Sequence, residues 1–249
     1  MGRFPFKLVT FDVNGTLLKP KGAIGQTYAR FARRRGLSVD PQILDGGFRV
    51  AYKSMSRNHP NFGQAGLQWK CWWQAVVRET FKSAIGPADE KKLSQIDVVT
   101  DDLIKHFSTG ESWEIENGAL EVLERLKNNS VGLGVVSNTD PRLHGILDDL
   151  RMAKYFVFVL TSYEAKVAKP DVQIFLHARD AYSRISGTGP ECESILHVGN
   201  SYDLDYLGAK RAGWQGVLVN CKDPVTDPGC LSFGNLKDLD DHFVKLGCD

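Results

Sequence analysis

Apolar and polar positions along this chain follow two textures. In the first, short apolar runs end abruptly in polar turns: Leu8, Val9 and Phe11 lead to Asp12, Leu133, Val135 and Val136 lead to Ser137-Asn138, and Ile195–Val198 leads to Gly199 and Asn200. Continuous apolar runs of this length are how strands buried on both faces of a sheet read. Between and after them, Asn117–Lys127, Pro141–Leu150, Asp171–Tyr182 and Asp203–Ala212 carry helical spacing, and Phe156–Leu160 and Gly216–Asn220 read as further strands. This alternation predicts an α/β fold, a parallel sheet covered by helices on both faces. The tail, through Pro224 and Pro228 to a helix near Leu236–Leu246, is expected to close an edge.

The second texture fills the stretch from about Ala23 to Phe107, which reads as four helices and no strand. Ile24, Tyr28 and Phe31 mark the first, Ile43, Phe48, Tyr52 and Met55 the second, Leu67–Ala84 the third and Ala88–Phe107 the fourth. The expected division is therefore residues 1–19 with 110–249 as one domain and 20–109 as an inserted helical one, with hinges near Pro20 and Ser108–Trp113. Trp69, Trp72, Trp73, Val76, Val77 and Phe81 recur at helical spacing and are expected in the bundle core. Asn61-Phe62-Gly63 joins the second and third helices, either as a plain connection or as a loop facing a site. Arg33-Arg34-Arg35 at a helix end complements the helix dipole.

Candidate chemistry sits where the apolar runs stop. Asp12 alone has a bland reading, the cap of the next helix. Three further signals follow it in order: Ser137-Asn138 after the second run, Lys169-Pro170 just ahead of a helix, and the Gly199 turn carrying Asn200, Asp203 and Asp205. Open α/β sheets place their ligands at the carboxyl ends of their strands.

On these residues the chain resembles the haloacid-dehalogenase-like (HAD) hydrolase superfamily, and FDVNGTLL, PNFG, WW and SNTDPRL resemble one subgroup of it. The resemblance implies a Rossmann-like parallel-sheet core with an inserted all-α cap of the first type. It implies Asp12 as a nucleophile that forms an aspartyl intermediate, dividing one hard displacement into two easier ones. Ser137 and the backbone N–H of Asn138 would hold a phosphoryl oxygen, with Thr16 beside them. Lys169 would neutralise the accumulated charge, and Asp205 would steady the lysine or a metal-bound water. Magnesium would be held by Asp12, the carbonyl of Asn14, and Asn200.

Two positions depart from the family pattern. Asn14 stands where phosphatases carry the aspartate that protonates the leaving oxygen, a loss that costs on the order of 10²–10⁴-fold. Asn200 replaces a metal-binding carboxylate, which weakens a magnesium site more surely than it abolishes one. Asp203, three residues on, is a candidate to compensate, although helix capping is its ordinary job. Three readings remain: a magnesium-dependent phosphate-ester hydrolase with weakened activity; a pseudoenzyme that binds a partner or an anionic ligand without turnover; and a metal-independent 2-haloacid dehalogenase. Against the last, Phe175 stands where dehalogenases carry an aromatic hydroxyl.

Composition narrows the partners. A net charge of +1 over 249 residues argues against nucleic acid or an anionic membrane as the main partner and leaves a small phosphorylated or anionic substrate. Five scattered cysteines without a CxxC pair suggest reduced thiols, and MGRFPFKL runs straight into the first strand, so an intracellular, cytoplasmic protein is expected. No window is apolar enough to span a bilayer. His197 inside an apolar strand is expected to be a satisfied core side chain, Lys166 lacks the proline that follows Lys169, and Cys192 and Cys221 read as packing residues.

Overall fold

The computed structural model describes residues 4–85 and 90–245. Leu8–Phe11 forms β1, whose four side chains are all buried. The chain then turns tightly over residues 12–17, where the N–H groups of Thr16, Leu17 and Leu18 all converge on the carbonyl of Val13. Leu18–Pro20 forms the short strand β2.

The chain divides into two compact units, Met1–Lys19 with Glu114–Asp249, and Pro20–Trp113. The second unit holds α1 (Ile24–Arg34), α2 (Pro41–Asn58), the single turn α3 (Pro60–Gly63), α4 (Trp69–Ile85) and α5 (Glu90–His106). Asp40 starts α2 as a side-chain cap, accepting from the N–H of Gln42, with Pro41 at the first helical position. Tyr28, Leu44, Val77, Phe81, Ile96, Val99 and Leu103 pack as its core. Of the tryptophan-rich stripe, Trp72, Val76, Val77 and Phe81 are buried, while Trp69 and Trp73 are half-buried. Asn61 and Phe62 both take left-handed backbone, with φ of 50° and 57°. The expected start of the fourth helix at Ala88 lies outside the described residues.

Trp113–Ile115 forms β3, which pairs with β2 as a two-stranded ribbon. There follow α6 (Ala119–Asn128), β4 (Gly132–Ser137), α7 (Arg142–Asp149), β5 (Phe158–Thr161), α8 (Ser162–Ala165), α9 (Val172–Ser186) and β6 (Ile195–Gly199). After β6 comes a π-helical turn, Tyr202–Leu207, continued by α10 (Gly208–Arg211), then β7 (Gln215–Val219), β8 (Leu231–Phe233) and α11 (Leu236–Lys245). The expected last residue of the final helix, Leu246, lies outside the described residues.

The main sheet has six strands in the order β5-β4-β1-β6-β7-β8, and every pairing is parallel. This is the expected α/β architecture. β1 lies in the middle, and the chain builds outward from it first on the β4 side and then on the β6 side. The carboxyl end of β1 is therefore a switch point, where neighbouring connections part and leave a crevice. One core cluster joins Leu8, Val136 and Ile195 of these three strands to Ile174, Phe175 and Ala178 of α9 and to Trp214.

One expectation is corrected here. The turn after β6 is capped by Ser201, whose Oγ accepts from the N–H of Leu204, and Asp203 lies exposed within the turn. The turn starts early because Asp205 folds back to collect the N–H groups of Asn200 and Ser201. Among the described residues, no helix is long and apolar enough to cross a membrane.

Candidate active site

Three neighbouring strands end at the crevice. β1 delivers Asp12, held by its own N–H donating to the carbonyl of Val198; β4 ends on Ser137; and β6 ends on Gly199 and Asn200. Lys169 comes from the loop between α8 and α9, and this loop is pinned from across the sheet. The Asn138 side chain donates to the Lys169 carbonyl at 2.9 Å and accepts from the Lys169 N–H at 2.8 Å. Asn138 thus works through its side chain, as a two-point clamp on the lysine backbone. Nothing in its sequence position signalled that task.

These elements bring four of the expected residues into one buried network. Lys169 Nζ donates to Asp12 Oδ1 at 2.8 Å and to Asp205 Oδ1 at 2.6 Å. Ser137 Oγ donates to the same Asp12 Oδ1 at 3.0 Å. Both of these bonds fall on Oδ1, which leaves Asp12 Oδ2 with no hydrogen bond among the described residues. Asp205 Oδ2 accepts from the N–H groups of Asn200 and Ser201 at 3.0 and 2.9 Å. A Cβ on Gly199 would sit 2.1 Å from the Asp205 carboxyl carbon, so only glycine at this strand end lets the carboxylate fold under the backbone.

Burial opposes the charge on Lys169, on Asp205 and on the neighbouring His197, and proximity overrides it at the first two. Lys169 is pushed by desolvation toward losing its proton, yet the carboxylates of Asp12 and Asp205 hold its pKa above the ordinary lysine value. Asp205 is likewise opposed by burial, but the Lys169 ammonium and the His197 hydrogen bond hold its carboxyl well below the usual carboxylate range. His197 goes the other way, because desolvation lowers its pKa.

The remaining expected residues sit around this network. Asn14 is exposed in the turn after β1. Asn200 lies against that same turn, its amide nitrogen 2.3 Å from where a Cβ on Gly15 would be; Gly15 is left-handed, with φ of 80°. Thr16 is fully buried and its Oγ1 has no hydrogen-bond partner among the described residues. Lys166 lies on the left-handed C-cap of α8, outside the network. Among the described residues no three His, Cys, Asp or Glu side chains gather as a metal site.

What the network offers is a carboxylate with one oxygen fixed by an ammonium and a hydroxyl and the other oxygen unbonded, at a sheet switch point. Known proteins resemble this chain in sequence and in fold. The model of the haloacid dehalogenase-like hydrolases matches residues 6–213. Haloacid dehalogenase-like hydrolase domain-containing protein 3 from Homo sapiens is 38% identical over 227 residues, covering 90% of this chain and 86% of that protein. Among solved structures, the HAD phosphatase from Thermococcus onnurineus superposes with a TM-score of 0.67 at 21% identity, covering 98% of this chain and 99% of its own. The 2-haloacid dehalogenase from Pseudomonas syringae gives 0.63 at 21%, over 97% and 99%. The magnesium-bound HAD-hydrolase YfnB from Bacillus subtilis gives 0.67 at 16%, over 97% and 99%. At such identities the solved structures speak for the fold, which phosphatases and dehalogenases have in common. The sequence match speaks for descent: the chain belongs to the haloacid dehalogenase-like hydrolases.

Proposed function

We propose that the chain hydrolyses phosphate esters through an aspartyl-phosphate intermediate on Asp12, slowly and with a preference for good leaving groups. The observation that carries this reading is the Lys169 ammonium bridging Asp12 and Asp205 in the protein interior. The ammonium on Asp12 Oδ1 fixes that carboxylate and offsets part of its charge, which a nucleophile that must meet an anionic substrate needs.

In the first step Asp12 Oδ2 attacks phosphorus, the bond from phosphorus to the ester oxygen breaks, and the leaving oxygen departs with the electron pair. In the second step water cleaves the aspartyl phosphate, releasing inorganic phosphate and restoring the carboxylate. Ser137 and Lys169 orient Asp12 by fixing Oδ1, and the same two donors lie beside the oxygens that gain charge. Asn14 has no proton to give, so the leaving oxygen must depart as a weak base or take its proton from water.

The donor set fits magnesium, weakly. Asp12 would supply one anionic oxygen, and the Asn14 carbonyl and the Asn200 side chain would supply neutral ones; magnesium commonly manages with one or two carboxylates plus substrate phosphate. When bound, the ion offsets phosphoryl charge.

The test is turnover of p-nitrophenyl phosphate with magnesium, because that leaving group needs little protonation. Slow hydrolysis that stops in Asp12→Ala and declines on chelation is the expected result. Wild-type protein no faster than Asp12→Ala would replace this reading with the second one, a binding protein without turnover, which the neutral Asn14 and Asn200 favour. Chloride release from a 2-haloacid without metal would instead select the dehalogenase.

A further inference from the structure

His197 occupies the middle of β6, directly opposite Thr10 of β1, and is 1% exposed. Its ring meets Phe175 of α9 edge-on, with centroids 5.3 Å apart. It is thus the satisfied core histidine that an apolar strand suggests, but its polar partners are not those of an ordinary core residue. Nδ1 lies 2.8 Å from Thr10 Oγ1 and Nε2 lies 3.1 Å from Asp205 Oδ1.

The direction of these bonds follows from charge. A carboxylate oxygen only accepts, so Nε2 must carry a proton. Burial keeps the ring neutral, and the nearby Lys169 ammonium adds to that effect, so Nδ1 carries none and accepts from the Thr10 hydroxyl. The Thr10 hydroxyl has a second acceptor, the Leu196 carbonyl, at the longer distance of 3.4 Å. A directed chain results, from Thr10 to His197, from His197 to Asp205 Oδ1, and from Lys169 to both Asp205 Oδ1 and Asp12 Oδ1.

Asp205 has about four acceptor positions on its two oxygens. Backbone N–H groups of Asn200 and Ser201 take Oδ2, and Lys169 and His197 share Oδ1. Without His197, Lys169 alone among the described residues would hold Oδ1, and the carboxylate, still anchored through Oδ2, would lose the bond that keeps Oδ1 from following the ammonium and drawing it off Asp12.

We propose that His197 is a positioning residue for the reaction at Asp12: its Nε2–H fixes the Asp205 carboxylate in the orientation that keeps Lys169 Nζ on Asp12 Oδ1. The proposal rests on the phosphate-ester reading given above, and assigns to a strand-interior histidine the task of orienting a lysine it does not touch.

The experiment compares wild type with His197→Leu, which removes the N–H at similar volume, with His197→Gln, whose amide restores an N–H near the same place, and with Thr10→Val, which keeps the shape of β1. Turnover of p-nitrophenyl phosphate with magnesium is measured alongside thermal melting. The ¹⁵N shifts of the histidine ring in wild type report which nitrogen bears the proton. His197→Leu should lower kcat by about 10–100-fold, the usual effect of removing a partner one layer behind a working group, with KM changed little. His197→Gln should recover most of the rate, Thr10→Val should lower it less, and the wild-type ring should be the neutral Nε2–H form. Full kcat in a folded His197→Leu overturns the proposal, as does His197→Gln being as slow as His197→Leu while both melt normally. If His197→Leu does not fold, Thr10→Val and the ring tautomer decide, and an Nδ1–H ring refutes the assignment. A wild type without turnover sinks the phosphate-ester reading itself, whereas an active wild type with an indifferent His197→Leu sinks only the role of His197.

Discussion

On the floor of the site, the side chains of Asp12, Lys169 and Asp205 are 9%, 2% and 2% exposed, and each is tied to another charge; on its rim, Asn14 is neutral and exposed and Asn200 is neutral and half-buried. The floor keeps what the family pattern implies, and the rim does not. Burying these three charges costs several kcal/mol per ion before pairing recovers any of it, and apolar side chains of the same volume would be at least as stable. Stability therefore does not explain the floor, whereas the proposed role of Asp12, a nucleophile held against a second anion, would. The rim, which would protonate a leaving group and grip a metal, has been left with neutral amides. Under the proposed function, these two parts of one site would retain attack and weaken departure.

The sharpest way to break this contrast is to delete a charge from the floor and a polar group from the rim. Lys169→Met leaves two buried carboxylates without a counter-charge and should cost roughly 3–5 kcal/mol of stability as well as turnover. Asn14→Ala, at an exposed position, should change stability by no more than about 0.5 kcal/mol. Denaturant unfolding of both variants measures the difference. A Lys169→Met protein as stable as wild type would mean that the floor is not electrostatically closed and that the contrast drawn here is false.

A smaller effect is expected from repairing the rim. Asn14→Asp together with Asn200→Asp restores a proton donor and a second anionic ligand beside a floor that needs no change. Turnover of an alkyl phosphate, whose leaving group is a strong base, should rise by about 10²-fold, the lower end of what general acid catalysis contributes. p-Nitrophenyl phosphate should gain less. Equal gains on both substrates would implicate the metal site alone, and no gain on either would show that the defect lies elsewhere.

How much of this was legible in the sequence depended on burial and on distance along the chain. β1, β4 and β6 were readable because a strand covered on both faces has to be apolar throughout, and the polar residue that follows it then stands out. β2, β3 and β8 were not, because each is only three residues long and none is buried throughout. The helical unit showed its core through spacing: Tyr28, Val77, Phe81 and Leu103 lie where periodicity puts them. Asp12 and Ser137 were visible as types at strand ends, Lys169 ahead of a helix and Asp205 in the turn after a strand, and the network joins them. The task of His197 was hidden because it depends on strand register, which sets Thr10 against a residue 187 positions away, and on a turn that folds Asp205 back. The Asn138 clamp was hidden for the same reason, since the backbone it holds is 31 residues on.

The smallest predicted effect distinguishes Lys169, Asp205 and His197 by the sign of their linkage to folding. Lys169, with its pKa raised, contributes stability that is intact below the ordinary lysine value and is lost only as pH rises through the higher folded one. Asp205, with its pKa depressed, contributes stability that is present above the ordinary carboxylate value and is lost as pH falls through the lower folded one. Neither crosses between pH 5 and 8. His197 does: its lowered pKa means that below about 6.5 the unfolded chain takes up a proton the folded chain refuses, so stability falls as the medium becomes more acid. One proton limits the slope to about 1.4 kcal/mol per pH unit. Melting curves from pH 7.5 to 5.5 should therefore converge between wild type and His197→Gln if the latter starts less stable, because glutamine has no such proton to refuse. His106, whose pKa burial also lowers, is present in both proteins and cancels. A wild-type advantage that widens toward acid would show that the imidazole is protonated in the folded state, held as a second cation on Asp205, and parallel curves would show that folding leaves its pKa where it was; in the first case the charges of Asp12, Asp205, Lys169 and His197 would balance, with no excess to set against the neutral rim.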